Sequence, residues 1–209
     1  MMKLLMRKLH LRKSKFIARS ELEAFCREIK ISYNGAVKYL LYYGYLTRIL
    51  RGIFYIRSIE ERKLGKTDIN HLEAIKEALR IKGITGWYFG LETALKLNNL
   101  THEYFAVDTV ISNAIFRAKP IGIMGHKIAF IKLKPELLGF GIAKGALPHS
   151  DAEKTLLDFV YLKRRGRIKA IPSELISSCS KKRIIAYARH YGNTARKEAE
   201  EIYGKKRAY

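Results

Sequence analysis

Six residues between positions 32 and 42 have side chains and spacing that could contact the bases and phosphates of DNA. Val37, Leu40 and Leu41 mark the apolar face of a predicted helix, so the remaining side of that helix should face solvent. An asparagine amide can pair with adenine, a serine hydroxyl can bond phosphate, and lysine and tyrosine suit phosphate or guanine. The outward set that we predict to bind DNA is Ser32, Asn34, Gly35, Lys38, Tyr39 and Tyr42.

Two arginines follow in a predicted hairpin. Residues 45–49 and 53–56 are rich in β-forming residues and flank a turn that contains Gly52. Arg48 and Arg51 lie in this hairpin, the proposed wing, where arginine can enter a minor groove or hold the flanking phosphates. A basic helix and hairpin that are merely exposed to solvent would show the same pattern, and this alternative stays open.

A second basic cluster lies near the end of the chain. Its first part is predicted to be a loop and its second part to begin a helix, and it could bind RNA, DNA or an acidic protein. A solvated charged loop explains it equally well, since no aromatic residues alternate with the charges to provide a stacking surface. The members are Lys163, Arg164, Arg165, Arg167, Lys169, Lys181, Lys182 and Arg183.

The sequence offers little for catalysis. No histidine has a His or Cys partner at metal-site spacing, and no phosphate-binding glycine loop or nucleophile elbow is present. Asp151, Glu153 and Asp158 could hold a metal in principle, although Asp151 and Glu153 fit the start of a helix better. We therefore predict no catalytic residue, no metal and no cofactor. A nuclease or nucleotidyltransferase that uses these carboxylates remains the alternative, together with an RNA- or ribosome-binding module.

The predicted DNA-contacting residues require three helices and a hairpin to position them. Helices are predicted over residues 3–13, from Glu21 to Ile29 behind a Ser20–Glu23 capping box, and from about Ser32 to Tyr43. Asn34-Gly35 is also a turn signal, so the third helix could begin later than Ser32. Three helices followed by a hairpin predict a winged helix-turn-helix over residues 1–58.

The remainder is predicted to be a mixed α/β domain over residues 67–209, with a helical basic subregion over 150–209. The charged segment 58–66 is assigned to a linker. The fold class is therefore α+β. One predicted helix starts from Asp68, has Leu72, Ile75 and Leu79 on one face and is closed by Gly83. The other predicted helices are 91–97, 150–162 with a Ser150–Glu153 capping box, 173–178, 181–191 and 194–203, and the predicted strands are 87–89, 104–110, 115–117 and a hairpin over 121–133.

Charge points to a polyanionic partner. The 209 residues include 41 Lys+Arg and 19 Asp+Glu, which gives a formal net charge of +22. Positive charge is concentrated in residues 1–57 and 149–209, so two surfaces could meet phosphate. A thermophile's charged surface is the plainer explanation, and the absence of glutamine fits a hot habitat, but such surfaces usually balance Lys with Glu.

No apolar run is long enough for a membrane span or signal peptide. The two cysteines are predicted to be reduced thiols. We therefore expect a cytoplasmic protein without a membrane partner.

Three segments resemble the AbiEi-type antitoxins, the transcriptional regulators of abortive-infection toxin–antitoxin operons. Arg51-Gly52-Ile53-Phe54-Tyr55 is similar to the end of that family's winged helix, and residues 88–95 (YFGLETAL) to its aromatic strand and following helix. The clearest match is residues 151–162 (DAEKTLLDFVYL), where Thr155 replaces the usual alanine. The heavily basic end segment also departs from the family.

The resemblance implies an autorepressor that binds operator DNA. A winged helix can bind an inverted repeat as two monomers or as a dimer, so we expect a monomer or weak homodimer. It also implies an antitoxin in antiviral defence, whose larger domain opposes a nucleotidyltransferase-like toxin without necessarily binding it. Combined with the charge and the helix pattern, it makes a sequence-specific transcriptional repressor our leading expectation.

Overall fold

A computed structural model describes residues 1–143, 145–192, 197–198 and 201, and it has an α+β fold. Two compact units are present: residues 1–85 with 122–125, and residues 86–121 with the described residues from 126 onward. We call them the first unit and the second unit.

The first unit contains helices and a three-stranded sheet around one apolar core. Leu5, Leu22, Cys26, Leu40 and Phe54 are among the buried residues of that core. The elements in chain order are α1 (Met2–His10), β1 (Phe16–Ala18), α2 (Arg19–Glu28), α3 (Tyr33–Tyr42), β2 (Leu46–Leu50), β3 (Ile53–Ile56), α4 (Ile59–Leu64) and α5 (His71–Ile81).

Local chemistry sets both ends of α3. The Ser32 hydroxyl accepts a hydrogen bond from the Gly35 amide at 3.4 Å, so Ser32 is the N-cap and the helix does not start later. At the other end Gly44 has φ +68°, and Tyr45 N donates to Leu40 O at 2.8 Å, which is the Schellman arrangement. The predicted bounds of this helix are confirmed.

The sheet has the strand order β1-β3-β2, with both pairs antiparallel. The β2–β3 hairpin matches the prediction, and a register shift between Arg48 and Leu50 marks a bulge before the turn. The β3 strand is central and buried along its whole length. The β1 strand was not predicted, because three residues give too short an alternation to detect.

The predicted Ser20–Glu23 capping box is wrong. The helix begins at Arg19, directly after β1, and no side chain caps it. Instead the Arg19 amide donates to Gly52 O at 2.7 Å, and the Glu23 carboxylate accepts from Arg19 Nε at 2.9 Å rather than reaching back to Ser20.

The predicted linker at 58–66 is also wrong, and the first unit extends to residue 85. A true capping box joins Ser58 and Glu61 at the start of α4. The buried Glu61 carboxylate accepts hydrogen bonds from Tyr55 Oη at 2.6 Å, Ser58 N at 2.7 Å and Asp68 N at 2.8 Å. This carboxylate ties β3 to the segment that leads into α5.

The second unit is built on five strands of a mixed sheet, in the order β7-β5-β4-β9-β8, together with Ile121 at the start of β6. The β4–β5 pair is antiparallel, and the β5–β7 and β4–β9 pairs are parallel. The elements in chain order are β4 (Trp87–Phe89), α6 (Leu91–Leu97), β5 (Val107–Ser112), β6 (Ile121–Ile123), β7 (His126–Lys132), a 3₁₀ turn (Pro135–Leu137), β8 (Ile142–Ala143), β9 (His149–Ser150), α7 (Ala152–Arg164), α8 (Ser173–Ser177), α9 (Lys181–Ala188) and a 3₁₀ turn (Arg189–Tyr191).

Three predictions for this unit need comment. Residues 115–117 form no strand, although Arg117 N donates to Phe130 O at 3.1 Å. The cap of α7 is Asp151, which accepts from Lys154 N at 2.9 Å, while Glu153 accepts from Ser180 N, so the predicted Ser150–Glu153 box is wrong. The predicted helix 194–203 lies largely outside the described residues.

The core of the second unit encloses a buried ion pair within α7. The side chains of Lys154 and Asp158 are both 0% exposed, and their charged atoms lie 3.2 Å apart. Lys154 Nζ also donates to Tyr191 Oη at 2.7 Å, while Tyr191 and Tyr88 donate to Asp158 at 2.6 and 2.8 Å. Burial lowers the pKa of Lys154, with Asp158 acting against that shift, and burial raises the pKa of both tyrosines, which remain neutral donors.

Glu61 makes the stability of the first unit depend on pH. Burial acts to raise the pKa of this carboxyl, but hydrogen bonds from Tyr55, Asp68 N and Ser58 N, with the charge of Lys15, bring it below its ordinary value of 4.5. Stabilisation from a lowered carboxyl pKa is present above the pKa of the unfolded state and is lost as pH falls through the pKa of the folded state.

We expect Glu61→Gln to lower the free energy of unfolding by about 2 kcal/mol at neutral pH, with the difference from wild type shrinking below about pH 4.5.

Urea unfolding followed by circular dichroism at several pH values measures this difference. Glu73→Gln is the control, since Glu73 is an exposed carboxylate in the same unit. A Glu61→Gln difference that stays constant from neutral to acidic pH would contradict the assignment.

For the second unit we expect Asp158→Ala to cost about 3–5 kcal/mol, because it leaves a buried ammonium group and two tyrosine hydroxyls without their acceptor. Adding Lys154→Met removes the uncompensated charge, so the double variant should be more stable than Asp158→Ala alone. Trp87 is the single tryptophan and adjoins Tyr88 in β4, so its fluorescence reports unfolding of this unit. Strictly additive effects of the two substitutions would show that the pair is not coupled.

Candidate nucleic-acid interface

A groove of about 860 Å³ lies on the first unit between α3, the start of α2 and the β2–β3 turn. Polar and charged side chains from five elements or turns reach it, while four apolar residues, Ala18, Val37, Leu41 and Phe54, contribute to its lining. The other lining residues are Arg19, Ser20, Glu23, Tyr33, Asn34, Lys38, Arg48, Arg51, Gly52 and Lys82.

The groove brings together four of the eight residues predicted to bind DNA: Asn34, Lys38, Arg48 and Arg51. All four are exposed. The hairpin arginines thus share one surface with the polar face of α3, although 10 or more positions separate them from Lys38 in the sequence.

The other four predicted residues lie outside the lining of the groove. Ser32, Gly35 and Tyr42 are exposed, as predicted, and Ser32 uses its hydroxyl as the N-cap of α3. Tyr39 differs from the prediction because it is only partly exposed: it packs on the core, with its ring centroid 4.5 Å from that of Tyr43. Its ring supports the end of α3 more than it faces solvent.

Sequence reasoning missed Arg19 and Lys82, which also line the groove. Lys82 is the C-cap of α5, and α5 had been assigned to a different domain. Arg19 lies at the start of α2, with its guanidinium 5.2 Å from the Tyr33 ring centroid and bonded to Glu23. The net charge of residues 1–57 was the only sequence signal that covered Arg19.

The lining of the groove has an excess of positive charge. Five basic side chains and one carboxylate line it, and that carboxylate, Glu23, is paired with Arg19. The hydrogen bond to Glu23 raises the pKa of Arg19, while burial raises the pKa of Tyr33 and keeps its phenol a neutral donor. This combination can neutralise phosphates and offer amide and hydroxyl groups to base edges.

The second predicted basic patch divides into two places. Lys163 and Arg164 end α7, and Arg165, Arg167 and Lys169 follow in the turn after it; all five are exposed. Lys181, Lys182 and Arg183 instead begin α9, beside the opposite end of α7. There Arg183 is bound to Asp151 at 2.5 Å and Glu153 at 3.2 Å, so the prediction of one continuous patch is wrong.

The three carboxylates considered for a metal all have protein partners. Asp151 caps α7 and accepts from Arg183 and Tyr187, and Glu153 accepts from Ser180 N at 3.0 Å. Asp158 belongs to the buried pair with Lys154. Their hydrogen-bonding capacity is thus used within the fold.

No family model and no curated protein matches the chain. Among solved structures, the fold is similar to the crystal structure of the RV2827C protein from Mycobacterium tuberculosis. That protein is 13% identical, with a TM-score of 0.56 over 88% of this chain and 69% of the other. At this identity the likeness concerns the fold alone. Within the described residues, no helix is long and apolar enough to cross a membrane.

Two glycines of this surface should respond oppositely to alanine. Gly52 has φ +79°, a left-handed conformation that is unfavourable for other residues, so Gly52→Ala should lower the free energy of unfolding by about 1–2 kcal/mol. Gly35 lies in α3, where an added Cβ would meet Ser32 at an ordinary 3.8 Å, so Gly35→Ala should raise it by up to about 1 kcal/mol. Thermal unfolding measures both changes, and a loss of stability in both variants would contradict this geometry.

Proposed function

We propose that this chain is a sequence-specific DNA-binding transcriptional repressor whose first unit is a winged helix. The observation that carries the proposal is the groove in which Asn34 and Lys38 of α3 meet Arg48 and Arg51 of the hairpin. Winged helices present this combination of a helix for the major groove and a basic hairpin for the flanking DNA.

In this proposal α3 is the recognition helix. Its 10 residues span about 15 Å, a length that fits across a major groove. Its buried face, Ala36, Val37 and Leu40, packs on the core and leaves Asn34 and Lys38 exposed. Asn34 supplies the group that can distinguish adenine, and Lys38 binds phosphate or guanine.

The hairpin acts as the wing. Arg48 lies in β2 opposite Phe54, and Arg51 precedes Gly52 in the turn, so the backbone of both arginines is held by the hairpin. An arginine held in this way loses less conformational freedom when it enters a minor groove or binds phosphate. Lys82 and Arg19 extend the same positive surface and add phosphate contacts.

We further propose that the repressor regulates its own operon and is the antitoxin of a nucleotidyltransferase-like toxin, as the resemblance to AbiEi-type proteins implies. Two segments that carry this resemblance are in direct contact, since Tyr88 donates to Asp158 at 2.8 Å. Thr155, which replaces the usual alanine, bonds Asp151 O at 2.7 Å and Ser150 Oγ at 2.7 Å, so this departure is accommodated within the fold.

The test is selection of bound sequences from a random duplex-DNA pool at about physiological salt, where nonspecific phosphate binding is weak. We expect one enriched motif. Asn34→Ala should relax the preference at an adenine position by about 1–3 kcal/mol, whereas Lys38→Ala, Arg51→Ala and Lys82→Ala should each weaken binding and lower the salt slope by about 0.9. The operon that carries the motif then identifies the candidate toxin gene.

Lys66→Ala is the matched control, because Lys66 is an exposed lysine of the first unit that does not line the groove. Its salt slope should equal that of the wild type. Tight binding without an enriched motif, or equal effects of Lys66→Ala and Lys82→Ala, would defeat the repressor proposal.

A further inference from the structure

The end of α7 and the turn after it carry a high density of positive charge, of which Arg164 is paired with Glu198 at 3.6 Å. Five of the seven residues 163–169 are Lys or Arg, and the sequence has no acidic residue between Asp158 and Glu174. Two cations in the last turn stabilise the C-terminal carbonyls of α7. The three that follow, Arg165, Arg167 and Lys169, lie beyond the helix. The guanidinium carbon of Arg165 is 4.3 Å from the ring centroid of Tyr161, whereas Arg167 and Lys169 need another explanation.

The backbone of this turn is fixed. Gly166 has φ +65°, Gly166 N donates to Lys163 O at 2.9 Å, and Arg167 N donates to Leu162 O at 3.0 Å. This is a Schellman motif, in which the residue after the glycine commonly makes an apolar contact with the helix. Here that residue is Arg167, an exposed cation whose backbone position is set in advance.

An exposed aromatic ring lies beside Arg167. The guanidinium carbon is 5.4 Å from the ring centroid of Phe116, whose side chain is 48% exposed. Phe116 precedes Arg117 and Lys119, both exposed, in the segment between β5 and β6. Residues 163–169 contain no aromatic residue, although Tyr161 lies just before them. Phe116 is distant in the chain, so the sequence alone does not associate its ring with these cations.

We propose that Phe116 and the turn 163–169, which we call the Phe116 surface, bind unpaired nucleotides of single-stranded nucleic acid. A base stacks on the exposed face of Phe116, and Lys163, Arg165 and Arg167 hold the adjoining phosphates. Aromatic rings among cations are the usual means by which proteins hold single strands, since every base has a face that can stack. Internal base pairs of a duplex have both faces covered, so duplex DNA cannot use the ring. This activity goes beyond operator binding by the first unit.

The experiment measures binding of the full-length protein to fluorescein-labelled 12-nucleotide oligo-uridine and oligo-deoxythymidine by fluorescence anisotropy. Phe116→Leu keeps an apolar side chain but loses the ring, and we expect affinity to fall about tenfold, the lower part of the range for one stacked base, with an unchanged salt slope. Lys163→Ala should weaken binding and reduce the salt slope by about 0.7. Phe116→Tyr keeps the ring and should bind like the wild type.

Two controls separate the Phe116 surface from general charge and general exposure. Lys181→Ala removes an exposed lysine beside the opposite end of α7, and Tyr104→Leu removes an aromatic ring that is 88% exposed. Both should bind single strands as the wild type does. Tighter binding of oligo-uridine than of oligo-deoxythymidine identifies RNA as the ligand, and the reverse order identifies single-stranded DNA.

The proposal is overturned if neither oligonucleotide binds, or if Phe116→Leu and Phe116→Tyr bind equally. It is also overturned if Lys181→Ala weakens binding as much as Lys163→Ala, since only net charge would then matter. Phe116→Leu should select the same duplex-DNA motif as the wild type. A failure of single-strand binding would therefore count against the Phe116 surface and not against the repressor proposal.

Discussion

The candidate interface depends on one backbone hydrogen bond, from the Arg19 amide to the Gly52 carbonyl at 2.7 Å. It joins the first residue of α2 to the hairpin turn, and it satisfies a helix N-terminal amide that would otherwise need a side-chain cap. Gly52 can present its carbonyl in this direction because it adopts a left-handed conformation. Since α2 and β2 both pack against α3, this bond fixes the hairpin arginines beside Asn34 and Lys38. A basic groove thereby forms from segments that carry no individual signal of being neighbours.

Features set by neighbouring residues could be predicted from the sequence, and features set by distant contacts could not. Ser32 and Gly44 mark the ends of α3, and the β-rich runs around Gly52 predict the hairpin. Because these local features were predicted, four of the eight residues predicted to contact DNA lie together in the groove. The capping boxes show the limit. The S-x-x-E pattern at Ser20 fails because Arg19 holds Glu23, whereas the same pattern at Ser58 succeeds inside a segment assigned to a linker. Lys82 and β1 were missed because only tertiary packing gives them their positions.

The second unit shows how charge in a helix can mislead an interpretation based on polarity. Lys154 and Asp158 are four residues apart, a spacing typical of an exposed helix, yet both are fully buried. Burying two charges is favourable only with additional hydrogen bonds, and Tyr88 and Tyr191 provide them from separate elements. Gly141 approaches closely enough that a Cβ there would meet Lys154 Cβ at 2.7 Å. The polar pair therefore requires a particular arrangement of β4, α7 and the Arg189–Tyr191 turn, which an apolar core would specify less strictly.

The net charge of +22 has different consequences on the two surfaces. Phosphate contacts increase affinity for any nucleic acid, so discrimination must come from groups other than the cations. On the first unit these groups are the Asn34 amide and the tyrosine hydroxyl of Tyr33, which suit the edges of paired bases. On the Phe116 surface the uncharged group is an aromatic ring, which suits the face of an unpaired base. In both proposals, therefore, the chemistry of the uncharged side chains, more than the distribution of positive charge, determines which form of nucleic acid is selected.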